Sequence, residues 1–233
     1  RALWLVATLF FLLATNALAA LIAYEPYNYT LASAPTFVSG SPTQTTGGGF
    51  SSGYNGGGLT TVAGLTYAGL GANYNALKQT AAYSGENLAS PVSSGTVYIS
   101  YLFNMSGNPG GNKVGLEMNT GGNGMFVGVT TPVTGTTGKL GVNQQVGYND
   151  GAANQWESPT ANITYGNTYF VVVKLTGTGS GWTGSIWVNP TANTGSEAAA
   201  DGTFTMPQFT ISACSIVNPA GAGGNLVFDE LRI

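Results

Sequence analysis

The 233 residues hold six Lys or Arg, nine Asp or Glu and no His, a net charge of −3. So few scattered cations cannot neutralise a run of phosphates or cling to anionic lipid, which excludes nucleic acid and electrostatic membrane binding. With no His and one cysteine, Cys214, the chain cannot build a Ser-His-Asp triad, a Cys-His nucleophile or a zinc centre.

Residues 2–14 are nearly continuous apolar sequence behind Arg1, and Ala17-Leu18-Ala19 supplies the small-x-small pattern of a cleavage site. The expectation is a helical signal peptide over 1–19, removed after Ala19, and a secreted or surface protein of bacterial type. The rival is an uncleaved anchor running on to Ala23, long enough to span a bilayer. From residue 20 to 233 a single domain is expected. Its apolar fraction of 43% suffices for a sizeable core, and 36 glycines imply many turns.

No stretch beyond residue 20 has a helical period. Apolar or β-branched runs recur instead at 21–27, 59–67, 96–105, 113–119, 125–130, 139–148, 168–176, 182–189, 204–217 and 225–233, closed by Gly, Asn or Pro clusters. Residues 30–58, rich in Ser, Thr, Gly and Pro, read as a long surface loop within the domain. In 168–176, Tyr169, Val171, Val173 and Leu175 form one apolar face, while Phe170 and Val172 share the other with Lys174. Apolar character on two sides suits a central sandwich strand better than a barrel wall. The fold expected is all-β, two antiparallel sheets packed face to face. Cys214, inside the alternating run Phe209-Thr-Ile-Ser-Ala-Cys-Ser-Ile-Val217, reads as a buried apolar side chain.

Several phrases, in order, resemble bacterial concanavalin A-like, laminin-G-like jelly-roll proteins: Leu21-Ile-Ala-Tyr-Glu-Pro-Tyr-Asn-Tyr29, Leu59-Thr-Thr-Val-Ala-Gly-Leu-Thr-Tyr67, Gly95-Thr-Val-Tyr-Ile-Ser-Tyr-Leu-Phe103, Thr168-Tyr-Phe-Val-Val-Val-Lys174, Ile186-Trp-Val-Asn-Pro190 and Phe228-Asp-Glu-Leu-Arg-Ile233. The resemblance implies a jelly roll whose first and last strands are neighbours. It also implies the exported class often anchored by a C-terminal PEP-CTERM motif, which the sequence does not show before Ile233.

That fold hosts lectins and glycoside hydrolases alike. Related glucanases carry Glu-x-Asp-x-x-Glu, and the nearest approach here is Glu117-Met118-Asn119. Asp229 and Glu230 are adjacent and would point to opposite faces of a regular strand. A hydrolase would need a pair drawn from separate strands, such as Glu117 with Glu157. The expectation is therefore no enzyme and no cofactor. Calcium is the one ion left open, at Asn149-Asp150-Gly151 or Asp201-Gly202, where the competing reading is an Asp capping a turn. Glu25 and Arg232 are expected to pair across the terminal strands.

Sugars stack on Trp or Tyr while amides and carboxylates take their hydroxyls. The candidate binding residues are Trp187, Trp156, Trp182, Asn189 and Asn154. Trp187 shares a strand face with Ser185 and Asn189, opposite Ile186 and Val188, whereas Trp156 and Trp182 lie in polar or Gly-rich settings. Each has a competing place in the core. The function expected is a carbohydrate-binding or adhesion module, with extracellular glycan or surface proteins as partners. Its alternatives are a structural surface-layer protein and, third, a hydrolase.

Overall fold

The structure, a computed structural model, describes residues 21–25, 48–51, 59–70, 75–80, 82–110, 113–119, 123–146, 149–160, 162–191, 197–218 and 224–233. The expected signal segment and most of the 30–58 loop lie outside the described residues.

Among the described residues fifteen strands, numbered in chain order, form two antiparallel sheets. The larger runs β13 (Gly202–Pro207), β12 (Gly181–Val188), β11 (Thr168–Gly177), β5 (Gly95–Ser106), β15 (Asn225–Arg232), β3 (Asn75–Gln79), β2 (Leu59–Ala63), with β1 (Tyr24–Glu25) also paired to β15. The smaller runs β10 (Ile163–Thr164), β8 (Thr137–Val146), β7 (Gly124–Pro132), β6 (Val114–Met118), β14 (Ile211–Asn218), β4 (Ala82–Val92), with β9 (Asn149–Glu157) also paired to β8. First and last strands pair, as a jelly roll requires, Tyr24 opposite Arg232 and Glu25 opposite Leu231.

The alternation of β11 explains its central position. Tyr169, Val171, Val173 and Leu175 are buried, and Phe170, Val172 and Lys174 are only half-buried on the outer face. Each inward aliphatic removes enough apolar surface from water to contribute about 1.5–3 kcal/mol. Across the sheet, Tyr101 of β5 stacks on Phe228 of β15 at 4.8 Å between centroids, and Phe103 stacks on Tyr169 at 5.6 Å. The buried Tyr101 hydroxyl donates to the Val127 carbonyl at 3.0 Å and so ties the larger sheet to β7 of the smaller one. Burial pushes that phenol far above its ordinary range, so it stays a donor. Cys214 is buried in this core and forms no disulfide.

The Glu25 side chain, expected to pair with Arg232, lies outside the described residues. Arg232 reaches Glu230 at 2.6 Å and lies over the Tyr24 ring, and the Tyr24 hydroxyl donates to the same Glu230 carboxylate at 3.0 Å. The register sets Arg232 against Tyr24, and Glu230 supplies it with a carboxylate. Asp229 and Glu230 do not alternate as on a regular strand. A register shift falls between Asp229 and Arg232, Glu230 takes a positive φ of 54°, and both carboxylates are buried. Asp229 accepts the Leu65 and Glu230 N–H groups at 2.8 and 2.9 Å, which fastens the segment after β2 to the last strand.

The run 204–217 proves to be two strands in different sheets. Pro207 ends β13, and the chain crosses through Gln208 and Phe209 before β14 starts at Ile211. Asn149-Asp150-Gly151, expected to turn, opens strand β9 instead.

Candidate functional site

The three candidate tryptophans have different fates. Trp182 points inward from β12, is 1% exposed and donates its indole N–H to the Phe209 carbonyl at 2.9 Å. Its ring also lies over Gly177, where a Cβ would come within 2.8 Å of it. It is a core residue and offers no face to a sugar, which corrects the expectation for it. Trp187 does point outward, since its neighbour Ile186 is in the core. It is nonetheless only 7% exposed, and its N–H donates to the Ala198 carbonyl at 2.9 Å. Residues 197–201 cross the sheet there, held at one end where Glu197 accepts from Lys174 at 2.7 and 3.0 Å and from the Tyr98 hydroxyl. At the other end Asp201 accepts the Val188 N–H at 2.7 Å. The surface expected at Trp187 is covered.

Trp156 is half-buried on the edge strand β9. Its register partner Val142 faces the core, so the indole turns towards the gap between the sheets and rests on Gly202 of β13. Any Cβ at Gly202 would come within 2.1 Å of the ring, so only glycine permits this contact. The Trp156 indole N–H makes no hydrogen bond to any described residue. It lines a depression of about 420 Å³ together with Ser158, Asn162, Val188, Asn189 and Asp201. Asn189 follows β12 with φ at 55°, donating its backbone N–H to the Phe170 carbonyl at 2.7 Å and accepting the Phe170 N–H on Oδ1 at 2.9 Å. Its amide nitrogen is left for other partners. The structure thus brings Trp156 and Asn189 together. Asn154 is exposed on the same strand as Trp156 but opposes Asn143 on the other face, because a bulge separates the two.

No family model and no curated protein matches this chain. Among solved structures, a peanut lectin with a nine-residue peptide is 9% identical with a TM-score of 0.41, over 75% of this chain and 95% of that one. The VIP36 exoplasmic/lumenal domain bound to Ca2+ and Man3GlcNAc is 8% identical with a TM-score of 0.45, over 77% and 83%. A glycosyl hydrolase family 16 protein from Mycobacterium smegmatis is 10% identical with a TM-score of 0.40, over 69% and 75%. At such identities the likeness concerns the layout of strands and carries no argument about chemistry.

The outer face of the smaller sheet holds residues that the sequence reading did not assemble. Ser215, Glu117, Phe126, Asn143 and Asn154 lie in register across β14, β6, β7, β8 and β9. Beside them runs a second row, Gly115, Gly128 and Gly141. Glu117 is 2% exposed and Asn143 0%, and neither amide atom of Asn143 has a hydrogen-bond partner. An unpaired buried polar atom costs about 1–3 kcal/mol, so Asn143 is a poor choice for stability alone. The period-two alternation of β6, β7 and β8 was the signal that could have found this row.

Glu157 shares this outer face, opposite Gly141, three strands from Glu117. At roughly 4.8 Å per strand and 3.4 Å per residue, with Glu157 three strands and two residues away, the two backbone positions stand about 16 Å apart, well outside the carboxylate spacings of hydrolysis. Burial works to raise the Glu157 pKa, but hydrogen bonds from Thr131 and Thr130 and the Lys139 ammonium at 3.5 Å hold it below the ordinary carboxylate range. Among the described residues no group of three His, Cys, Asp or Glu could hold a metal. The Asp201 carboxylate caps Val188, as the turn reading of that position has it.

A broader trough of about 640 Å³ lies over the larger sheet. Thr96, Thr176, Thr183 and Thr205 stand in one register row across β5, β11, β12 and β13, and the last three with Ser185 and Thr203 supply the wall of hydroxyls.

Proposed function

We propose that this chain is an exported, non-catalytic carbohydrate-binding module that holds glycan at the Trp156 depression. The observation that carries the reading is a half-buried indole whose N–H no described residue bonds, set beside the Asn189 amide and the Asp201 carboxylate in one open hollow. An aromatic ring offers a sugar a large apolar contact at small entropic cost, and a few fixed polar groups then orient its hydroxyls. The second oxygen of Asp201 and the amide nitrogen of Asn189 supply an acceptor and a donor. The wide separation of Glu117 from Glu157 supports binding without hydrolysis.

A structural role in a surface layer is the second reading, favoured by the exposed threonine row on the larger sheet. A glycan array separates the two. The wild-type chain is expected to bind at least one neutral glycan, and Trp156→Ala and Asn189→Ala are expected to lose that signal while remaining folded. An array without signal, or binding that survives Trp156→Ala, refutes the proposal. Release of reducing ends from the bound glycan, abolished by Glu117→Gln, would return the hydrolase reading.

A further inference from the structure

We infer that residues 64–70 are a pH-operated strap over the outer face of the larger sheet, closed while Asp229 holds its proton and opening as that carboxyl ionises to bare an apolar strip at Leu102 and Phe170. The strap lies outside the Trp156 depression and does not require the glycan reading. Asp229, Leu102 and Phe170 stand in one register row across β15, β5 and β11. Leu102 faces outward, because its neighbours Tyr101 and Phe103 belong to the core, yet it is 0% exposed. The strap is fastened on either side of it. At one end the Leu65 N–H donates to Asp229 Oδ2 at 2.8 Å. At the other the Tyr67 ring lies 5.4 Å from that of Phe170, and its hydroxyl donates to the Pro190 carbonyl at 3.3 Å. A tight turn closes the segment, the Leu70 N–H returning to the Tyr67 carbonyl at 3.0 Å with Gly69 at φ 86°.

The Asp229 anchor is the sensitive one. It is 0% exposed, and among the described residues its oxygens accept from two backbone N–H groups, those of Leu65 and Glu230. Arg232 is bonded to Glu230 instead, which also takes the Tyr24 hydroxyl. β1 adds Glu25 opposite Leu231, and β3 brings Lys78 opposite Val227, two residues short of Asp229. β5 and β11 face the carboxyl's row with Leu102 and Phe170, and Tyr67 is the one titratable side chain of the strap. Burial therefore pushes the Asp229 carboxyl up to about 7. Once ionised it needs water, since a buried carboxylate without a cation is costly. The strap belongs to no strand, so its departure admits water without separating either sheet.

The test follows backbone amide exchange of the full chain from pH 5 to 8, corrected for the intrinsic pH dependence of exchange, together with fluorescence of the apolar dye anilinonaphthalene sulfonate. Opening releases one proton, so Leu65 protection is expected to fall by up to about tenfold per pH unit until about pH 7 and then level off. Dye fluorescence is expected to rise over the same interval, while Val173 in β11 stays at least about a hundredfold better protected than Leu65. Asp229→Asn, which keeps an acceptor for the Leu65 N–H, is expected to hold Leu65 protection constant across the range. Tyr67→Ala removes the far anchor and no group that titrates in this range; it is expected to lower Leu65 protection about fivefold at pH 5 and to bind dye there. A Leu65 profile flat in pH overturns the inference, as does a slope that persists in Asp229→Asn. Equal protection of Leu65 and Val173 at every pH also overturns it, since the whole domain would then be opening.

Discussion

Replacing Asp229 by Asn tests the terminal seam through its pH dependence. Burial pushes the Asp229 carboxyl up to about 7; the Leu65 N–H opposes that rise, the Glu230 charge adds to it and the Glu230 N–H opposes it. An unfolded aspartate titrates near 3.9, so between about pH 4 and 7 the native chain holds a proton that the unfolded chain has released. Stability must therefore fall as pH rises through this window, at up to about 1.4 kcal/mol per unit, and level off above it. Three units give a ceiling of about 4 kcal/mol, of which residual solvent screening leaves about 2–4. On the acid side the sign reverses. Glu197, hydrogen-bonded by Lys174 and Tyr98, and Glu157 titrate below the ordinary range, so their contributions vanish as pH falls through it. Urea unfolding from pH 4 to 9 should show a maximum near pH 5, and Asp229→Asn should flatten the decline above it. An unchanged slope in the variant, or a wild-type chain more stable at pH 8 than at pH 5, refutes the assignment.

Two further substitutions probe the packing. Gly115→Ala would drive a Cβ to 2.3 Å from the Val127 carbonyl oxygen and 2.6 Å from the Gly128 Cα, where β6 and β7 lie backbone to backbone. It should cost about 1–3 kcal/mol in denaturant unfolding, and a neutral result would mean the two strands are not in this register. Trp182→Phe would leave the Phe209 carbonyl without its donor and a gap over Gly177. A loss of about 1–3 kcal/mol is expected with glycan binding intact, whereas selective loss of binding would restore Trp182 as a contact residue.

The sequence signalled strands where alternation was strong and failed where edge strands relax the rule. β11 could be read residue by residue, since Tyr169 through Leu175 alternate as a central strand must. β4 and β9 could not. The first contains Gly85, Glu86, Asn87 and Pro91, the second Asn149, Asp150 and Gly151, all residues that strands disfavour. Both strands lie at an end of the smaller sheet, where one side of the ladder is at most partly filled; among the described residues β4 meets only residues 49–51 there. The same blindness affected the site. That Trp187 faces outward was legible from Ile186 beside it, but its cover comes from Ala198, a contact no periodicity encodes. The meeting of Trp156 with Asn189 depends on β9 and β12 arriving at one edge of the sandwich from different sheets, which only the folded topology supplies.

The claim that the Trp156 hollow takes sugar is tested most directly by the tryptophan indole N–H signals during titration with a glycan drawn from the array. The Trp156 resonance should move in proportion to occupancy, while those of Trp182 and Trp187, bonded to Phe209 and Ala198, stay fixed. A glycan that binds and leaves the Trp156 signal where it was would contradict the account.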